Sequence, residues 1–161
     1  LFEDVVSVSF DSTATTQNVY GVPVSTSYKY RVSVVSEREN ISISLSASRD
    51  ESTQKEAWLK IVGAVSGLIN PIIIKKMVNK IFDNGEVVRI SSIDFSKLGY
   101  SKMKYKMFSK DIYIPKFEQG MVVLWEDKDG KSKVFQTIPM FNANAVLIPE
   151  LVQACYDSRD K

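Results

Sequence analysis

The chain has no histidine and only one cysteine, and these two absences remove more chemistry than any motif supplies. Without imidazole there is no Ser-His-Asp or Cys-His nucleophile device, no histidine-based zinc or haem ligation, and no ordinary pH switch near neutrality. Cys155 alone excludes an intramolecular disulfide and a multi-thiolate metal site, and leaves the redox compartment open. The seven glycines are scattered without a G-x-G or G-K-[ST] grouping, so no phosphate-cradling loop is written here. Internal repeats and low-complexity segments are also missing. Neither a cofactor nor a metal is therefore expected. Glu126, Asp127 and Asp129 form an acidic cluster. It lacks the ligand ladder and distal bidentate carboxylate of a calcium loop and is interrupted by Lys128, Lys131 and Lys133, which predicts a solvated turn. No pair of carboxylates lies in an apolar setting that would set up glycosidase chemistry; Asp94, between Ile93 and Phe95, comes nearest.

Long apolar runs are scarce as well. Ile61 to Ile74 carries no charge, but it holds Ser66, Asn70 and Pro71 and is bounded by lysines. A spanning helix needs roughly 20 apolar residues, so no transmembrane segment is predicted. The membrane role still open to it is that of an amphipathic, Lys-bearing helix pair lying on an anionic bilayer.

The chain does contain one helical stretch in a sequence otherwise written in strand alternation. Thr53-Gln54-Lys55-Glu56 has the form of a capping box, with Ser48-Arg49-Asp50-Glu51 as a second candidate. Trp58, Ile61, Val62, Val65, Leu68 and Ile69 follow at spacings of three and four, which stacks them on one face and predicts its burial. Asn70-Pro71 predicts a break and a second helix, with Asn70 as N-cap and Pro71 at the first helical position, where its missing N–H is harmless. In that helix Ile73, Met77 and Ile81 face inward and Lys75, Lys76, Asn79 and Lys80 outward, and Asp83-Asn84-Gly85 closes it. The pair spans about 53–82.

On either side the pattern has period two. Asp4–Phe10, Tyr28–Ser36 and Ile41–Ala47 read as strands, the last with Ile41, Ile43 and Leu45 opposite a wet face of Ser42, Ser44 and Ser46. Residues 11–27, rich in Ser, Thr, Asn and Gly, read as a long loop with a turn at Tyr20-Gly21-Val22-Pro23. Glu37 to Asn40 reads as a four-residue hairpin loop. Glu86–Ile93 reads as a strand and Asp94–Gly99 as a connection. Met121–Trp125 and Val134–Ile138 flank a hairpin loop with Asp129-Gly130 in the favoured place. Ala145–Tyr156 reads as a closing helix in which Leu151, Val152, Cys155 and Tyr156 form a stripe. The expected class is α+β: one domain over 1–161, mainly an antiparallel sheet, with the helix pair and a short C-terminal helix packed on one face.

The net charge of +2 is unevenly distributed. Residues 55–116 hold twelve Lys/Arg against five Asp/Glu, a net +7, leaving −5 for the two flanks. Inside this block Lys102, Lys104 and Lys106 alternate with Met103, Tyr105 and Met107. On a strand that pattern sets three ammonium groups in a row about 7 Å apart. Such a row attracts phosphate or carboxylate, and it also guards an edge strand against aggregation. Lys97, Lys102, Lys104, Tyr105, Lys106 and Lys110 are thus the candidate binding residues, with no catalytic or metal-ligating set beside them.

The function predicted on these grounds is a non-enzymatic macromolecule-binding module with a protein partner. The alternatives are an anionic polymer such as nucleic acid, or a membrane surface, met through the basic block, and a histidine-free enzyme using carboxylate, Lys or Tyr. If Leu1 is a processed N-terminus, an exported or periplasmic location is favoured.

Overall fold

The computed structural model describes residues 4–48, 52–102 and 115–159. The order of elements is α+β, and among the described residues the pairing is antiparallel, distributed over three three-stranded sheets. The first sheet holds β1 (Val5–Val19), β2 (Val22–Ser36) and β3 (Asn40–Ser48) in the order β1-β2-β3. Two helices follow, α1 (Ser52–Leu68) and α2 (Asn70–Phe82). A short meander of β4 (Val88–Ile90), β5 (Ile93–Ser96) and β6 (Gly99–Ser101) forms the second sheet. The third comprises β7 (Lys116–Glu118), β8 (Met121–Lys128) and β9 (Lys131–Pro139). A 3₁₀ turn at Ala145–Leu147 leads into α3 (Ile148–Arg159).

The segment expected to be a loop, residues 11–27, is instead the distal half of a long hairpin. β1 and β2 pair from Val5↔Ser36 to Val19↔Val22 around a tight turn at Tyr20-Gly21, both at positive φ (51° and 80°). Each strand supplies the other's backbone partners, so polar residues can stay exposed on both faces without leaving N–H or C=O groups unpaired. Pro23 is tolerated because it sits beside the register shift at Gln17/Asn18, beyond Ser27, where β3 no longer flanks β2. At the other end Ser36 turns the chain into β3: its Oγ accepts from the N–H groups of Arg38 and Glu39 at 3.2 and 2.9 Å.

The helix break falls one residue early. α1 ends at Leu68, Ile69 occupies the cap position of α2 with no side-chain cap bond, and Asn70 is the buried first residue of α2 rather than its cap. α1 begins at Ser52, which puts Thr53 inside the first turn. The inward face of α2 is as the spacing predicts, with Ile73, Met77 and Ile81 buried. Its C-terminus is satisfied by Asp83 N–H donating to Asn79 O at 2.8 Å, and Gly85 then takes φ +70°.

α1 departs from expectation. Trp58, Ile61, Val62 and Val65 are only half-buried, Leu68 is exposed, and no residue of α1 is fully buried. The reason is what lies beneath the helix: α1 rests on β2 and the edge strand β3, where the sheet is narrow.

The strand expected over 86–93 is two strands split by a turn at Ser91 (φ +55°), and the expected connection at 94–99 carries β5. Inner residues of all three sheets, among them Val8, Phe95 and Leu124, share one hydrophobic cluster with α2 and α3. Tyr100 ties the second sheet to the third: its hydroxyl donates to Trp125 O at 3.1 Å and its ring meets Phe135 edge-on at 5.8 Å. Leu151, Val152 and Cys155 form the buried stripe of α3.

Candidate binding surface

Of the six candidate binding residues, Lys97 and Lys102 are among the described residues. Lys97 is exposed in the turn between β5 and β6. Lys102 follows β6, exposed, and its Nζ donates to Gln136 Oε1 at 3.3 Å. Lys104, Tyr105, Lys106 and Lys110 lie outside the described residues.

The structure sets out a different surface. α1 runs back along the first sheet from the end of β3. Trp58 packs its ring 5.4 Å from Tyr30, and its Nε1 approaches Arg31 O at 3.5 Å. Further along, Lys76 of α2 donates to Val5 O at 3.2 Å, which fixes the far end of the pair to β1. With the inner face held this way, Leu59, Gly63, Ala64, Gly67, Leu68 and Pro71 point outward, between the exposed Lys60 and Lys75. Leu59 and Leu68 keep 53% and 63% of their surface in solvent. Apart from the adjacent residues and the backbone of the helix itself, nothing lies within 4 Å of where a Cβ on Gly63 or Gly67 would sit. Taken together, Ser52–Phe82 makes a 31-residue helical stretch long and apolar enough to cross a membrane by length and composition, yet only 22% of its apolar window is buried. Counting only the uncharged run, Ile61–Ile74, missed this length.

Beside this face, on the helix side of β3, Ile41 and Ile43 are 56% and 41% exposed. Their side is fixed by register: Leu45 pairs with Tyr30, the residue under Trp58, and alternate residues share a face. At the helix joint Asn70 is 2% exposed and its Oδ1 has no partner. An unpaired buried amide oxygen costs about 1–3 kcal/mol, which makes the joint the least well satisfied point of the helix layer.

Among the described residues the titratable groups do not gather into a reactive site. Burial pushes the Cys155 thiol and the Tyr100 phenol each up to about 12, so both are neutral at pH 7. Arg89 and Asp94 form an exposed bidentate pair at 2.6 and 2.9 Å that lowers the carboxyl pKa, chiefly through the hydrogen bond. The acidic turn is closed by Asp127 itself, whose Oδ1 accepts from Gly130 N–H at 2.9 Å. Among the described residues no group of three His, Cys, Asp or Glu side chains is placed to hold a metal.

Two clefts flank α2. One, about 490 Å³, runs between α2 and α3, with Pro71, Ile74, Val78 and Ala154 as its floor and Lys75, Glu150 and Asp157 at its rim. The other, about 570 Å³, lies between α2, β1 and β4, where Lys80 and Arg89 face Glu37 and Glu86. Comparison with known proteins gives no match: no family model fits the chain, and no curated protein or solved structure is similar to it.

Proposed function

We propose that the protein is a non-enzymatic binding module whose binding element is α1–α2 and whose partner is an anionic bilayer surface. The observation that carries this is the 22% burial of an apolar window inside a 31-residue helical stretch. A core helix of that composition is mostly covered; here the outward face of α1 ends in Gly63, Ala64, Gly67 and Leu68, with lysines before and after. On a bilayer such a helix lies in the interface with its apolar face toward the acyl chains and its lysine stems reaching up to the phosphates.

The magnitudes favour reversible attachment. Burying the exposed half of Leu59 and Leu68 contributes about 1 kcal/mol each, and each lysine near an anionic surface about 1 kcal/mol. Lys60 is paired with Glu56 at 2.7 Å and must leave it to reach the lipid; with Lys60 and Lys75 engaged the sum is about 4 kcal/mol, a dissociation constant on the order of 1 mM. The nucleic-acid alternative draws on the same basic block, residues 55–116.

Flotation with vesicles of neutral lipid and of neutral lipid mixed with phosphatidylserine, at two salt concentrations, tests the proposal. Binding is expected to the anionic vesicles at low salt and to be abolished in Leu59→Glu/Leu68→Glu, two exposed positions whose change leaves the core untouched. Failure of the wild type to bind, or equal binding by the double variant, overturns it. A protein partner is the second possibility, favoured by the groove between α2 and α3 with its apolar floor and acidic α3 rim; a partner helix seated there would be lost in Ala154→Arg while vesicle binding persists.

A further inference from the structure

We infer that the outer edge of β3 is a self-association surface on which β3 of a second copy of this chain pairs antiparallel. The inference does not rest on the lipid proposal. It starts from the unequal treatment of the two edges of the first sheet. At the β1 edge Asn144 stands in for a neighbouring strand over Val6–Val8. Its backbone N–H donates to Val8 O at 2.8 Å, its Oδ1 accepts from Val8 N–H at 3.0 Å, and its Nδ2 donates to Val6 O at 3.1 Å. At the β3 edge no described residue pairs with the strand.

Bare edges are normally blunted by lysine, proline, a bulge or a short length, because alternate N–H and C=O groups along them are a template for another strand. β3 has none of these devices. Its nine residues include neither a charge nor a proline, its register with β2 runs without a shift from Ser27↔Ser48 to Val35↔Asn40, and it extends about 30 Å. Its composition, Ile and Leu alternating with Ser, is that of a strand built to be paired.

A copy of the same strand fits this edge by symmetry. A two-fold axis perpendicular to the sheet makes the neighbours antiparallel and keeps the same face up in both. Residues directly opposite then always have the same parity. Ile41, Ile43, Leu45 and Ala47 meet one another on the helix side, and Ser42, Ser44, Ser46 and Ser48 meet on the other. Serine already pairs with serine across this sheet face, Ser33 Oγ and Ser42 Oγ lying 3.2 Å apart. No like charges are brought together at the seam, since the strand has none. The exposed parts of Ile41 and Ile43 become covered, with both α1 helices on the same face of a continuous six-stranded sheet, one on each side of the seam.

Sedimentation analysis over a concentration series tests the inference with the whole chain. Ser44 is exposed on the serine face, so Ser44→Lys and Ser44→Glu leave the core intact but oppose like charges at the seam. The wild type is expected to form a dimer that does not grow further. Each variant alone should weaken dimerisation by about fivefold or more, as opposed like charges in a cross-strand pair do. An equimolar mixture of the two variants should restore it. Amide exchange should show β3 protected at high concentration and open at low concentration. A wild type that stays monomeric at every soluble concentration overturns the inference. So does a monomer whose β3 amides are already protected, a dimer indifferent to both variants, or an open-ended polymer.

Discussion

Asn144→Ala puts the edge-capping of β1 on a numerical footing. Three terms contribute. The N–H of Val8, a residue with no solvent exposure, loses Oδ1 and finds no water in its place, which costs about 1–3 kcal/mol. The carbonyl of Val6, an exposed residue, loses Nδ2 but is rehydrated, so that bond adds little. Asn144 also holds φ +62°, a conformation that asparagine adopts readily and alanine only at about 1 kcal/mol more. The expected loss is about 2–4 kcal/mol. Two companion variants separate the terms: Asn144→Gly removes the backbone cost and keeps the hydrogen-bond loss, while Asn144→Asp retains the acceptor for Val8. Urea unfolding followed by far-ultraviolet circular dichroism should rank stability as wild type, Asp, Gly, Ala. A loss below about 1 kcal/mol in Asn144→Ala, or an Asp variant as weak as Ala, would refute the account of Asn144 as the neighbour of β1.

Ile81→Ala, at a position with no exposure in α2, is expected to cost about 2–5 kcal/mol, and Ile61→Ala, half-buried in α1, about half as much; equal losses would show that α1 is as deeply packed as α2. Cys155 has a folded pKa near 12 against an ordinary 9.0, so the thiol contributes stability below pH 9 that is lost as pH rises from 9 to 12; Cys155→Ala should flatten this stretch of the stability curve, and the native thiol should resist alkylation at neutral pH. Asp94 titrates below its ordinary 3.8 because Arg89 donates to it, so its small contribution is present above about pH 4 and disappears as pH falls through the lowered value; Asp94→Asn should match the wild type in acid and fall slightly behind it at pH 7.

The elements whose hydrogen bonds are local could be read in the chain. The spacing of Ile73, Met77 and Ile81 and of Leu151, Val152 and Cys155 fixed the inward faces of α2 and α3, because a helix closes its own backbone bonds and any core in contact with it selects the apolar stripe. The alternation of Ile and Ser in β3 and the Asp129-Gly130 turn were equally legible. Residues 11–27 were not. Ser, Thr and Asn suit loops and solvated strands alike, and the choice between them came from pairing with a partner strand up to twenty positions away.

The same limit applies to the candidate surface. That α1 carries an apolar stripe is a property of its sequence, but how much of it is covered depends on the width of the sheet beneath, which no local pattern records. The stripe predicted Leu68 buried; the helix rests on an edge strand and Leu68 projects into solvent. Nor does the order of residues show that Asn144 would cap β1, 136 positions from its partner Val8, while no described residue pairs with the outer edge of β3. The sequence by itself determined which faces are apolar and which absences limit the chemistry. The tertiary structure decided which of those faces remain open, because coverage is a relation between distant segments and exposure is what their packing leaves over.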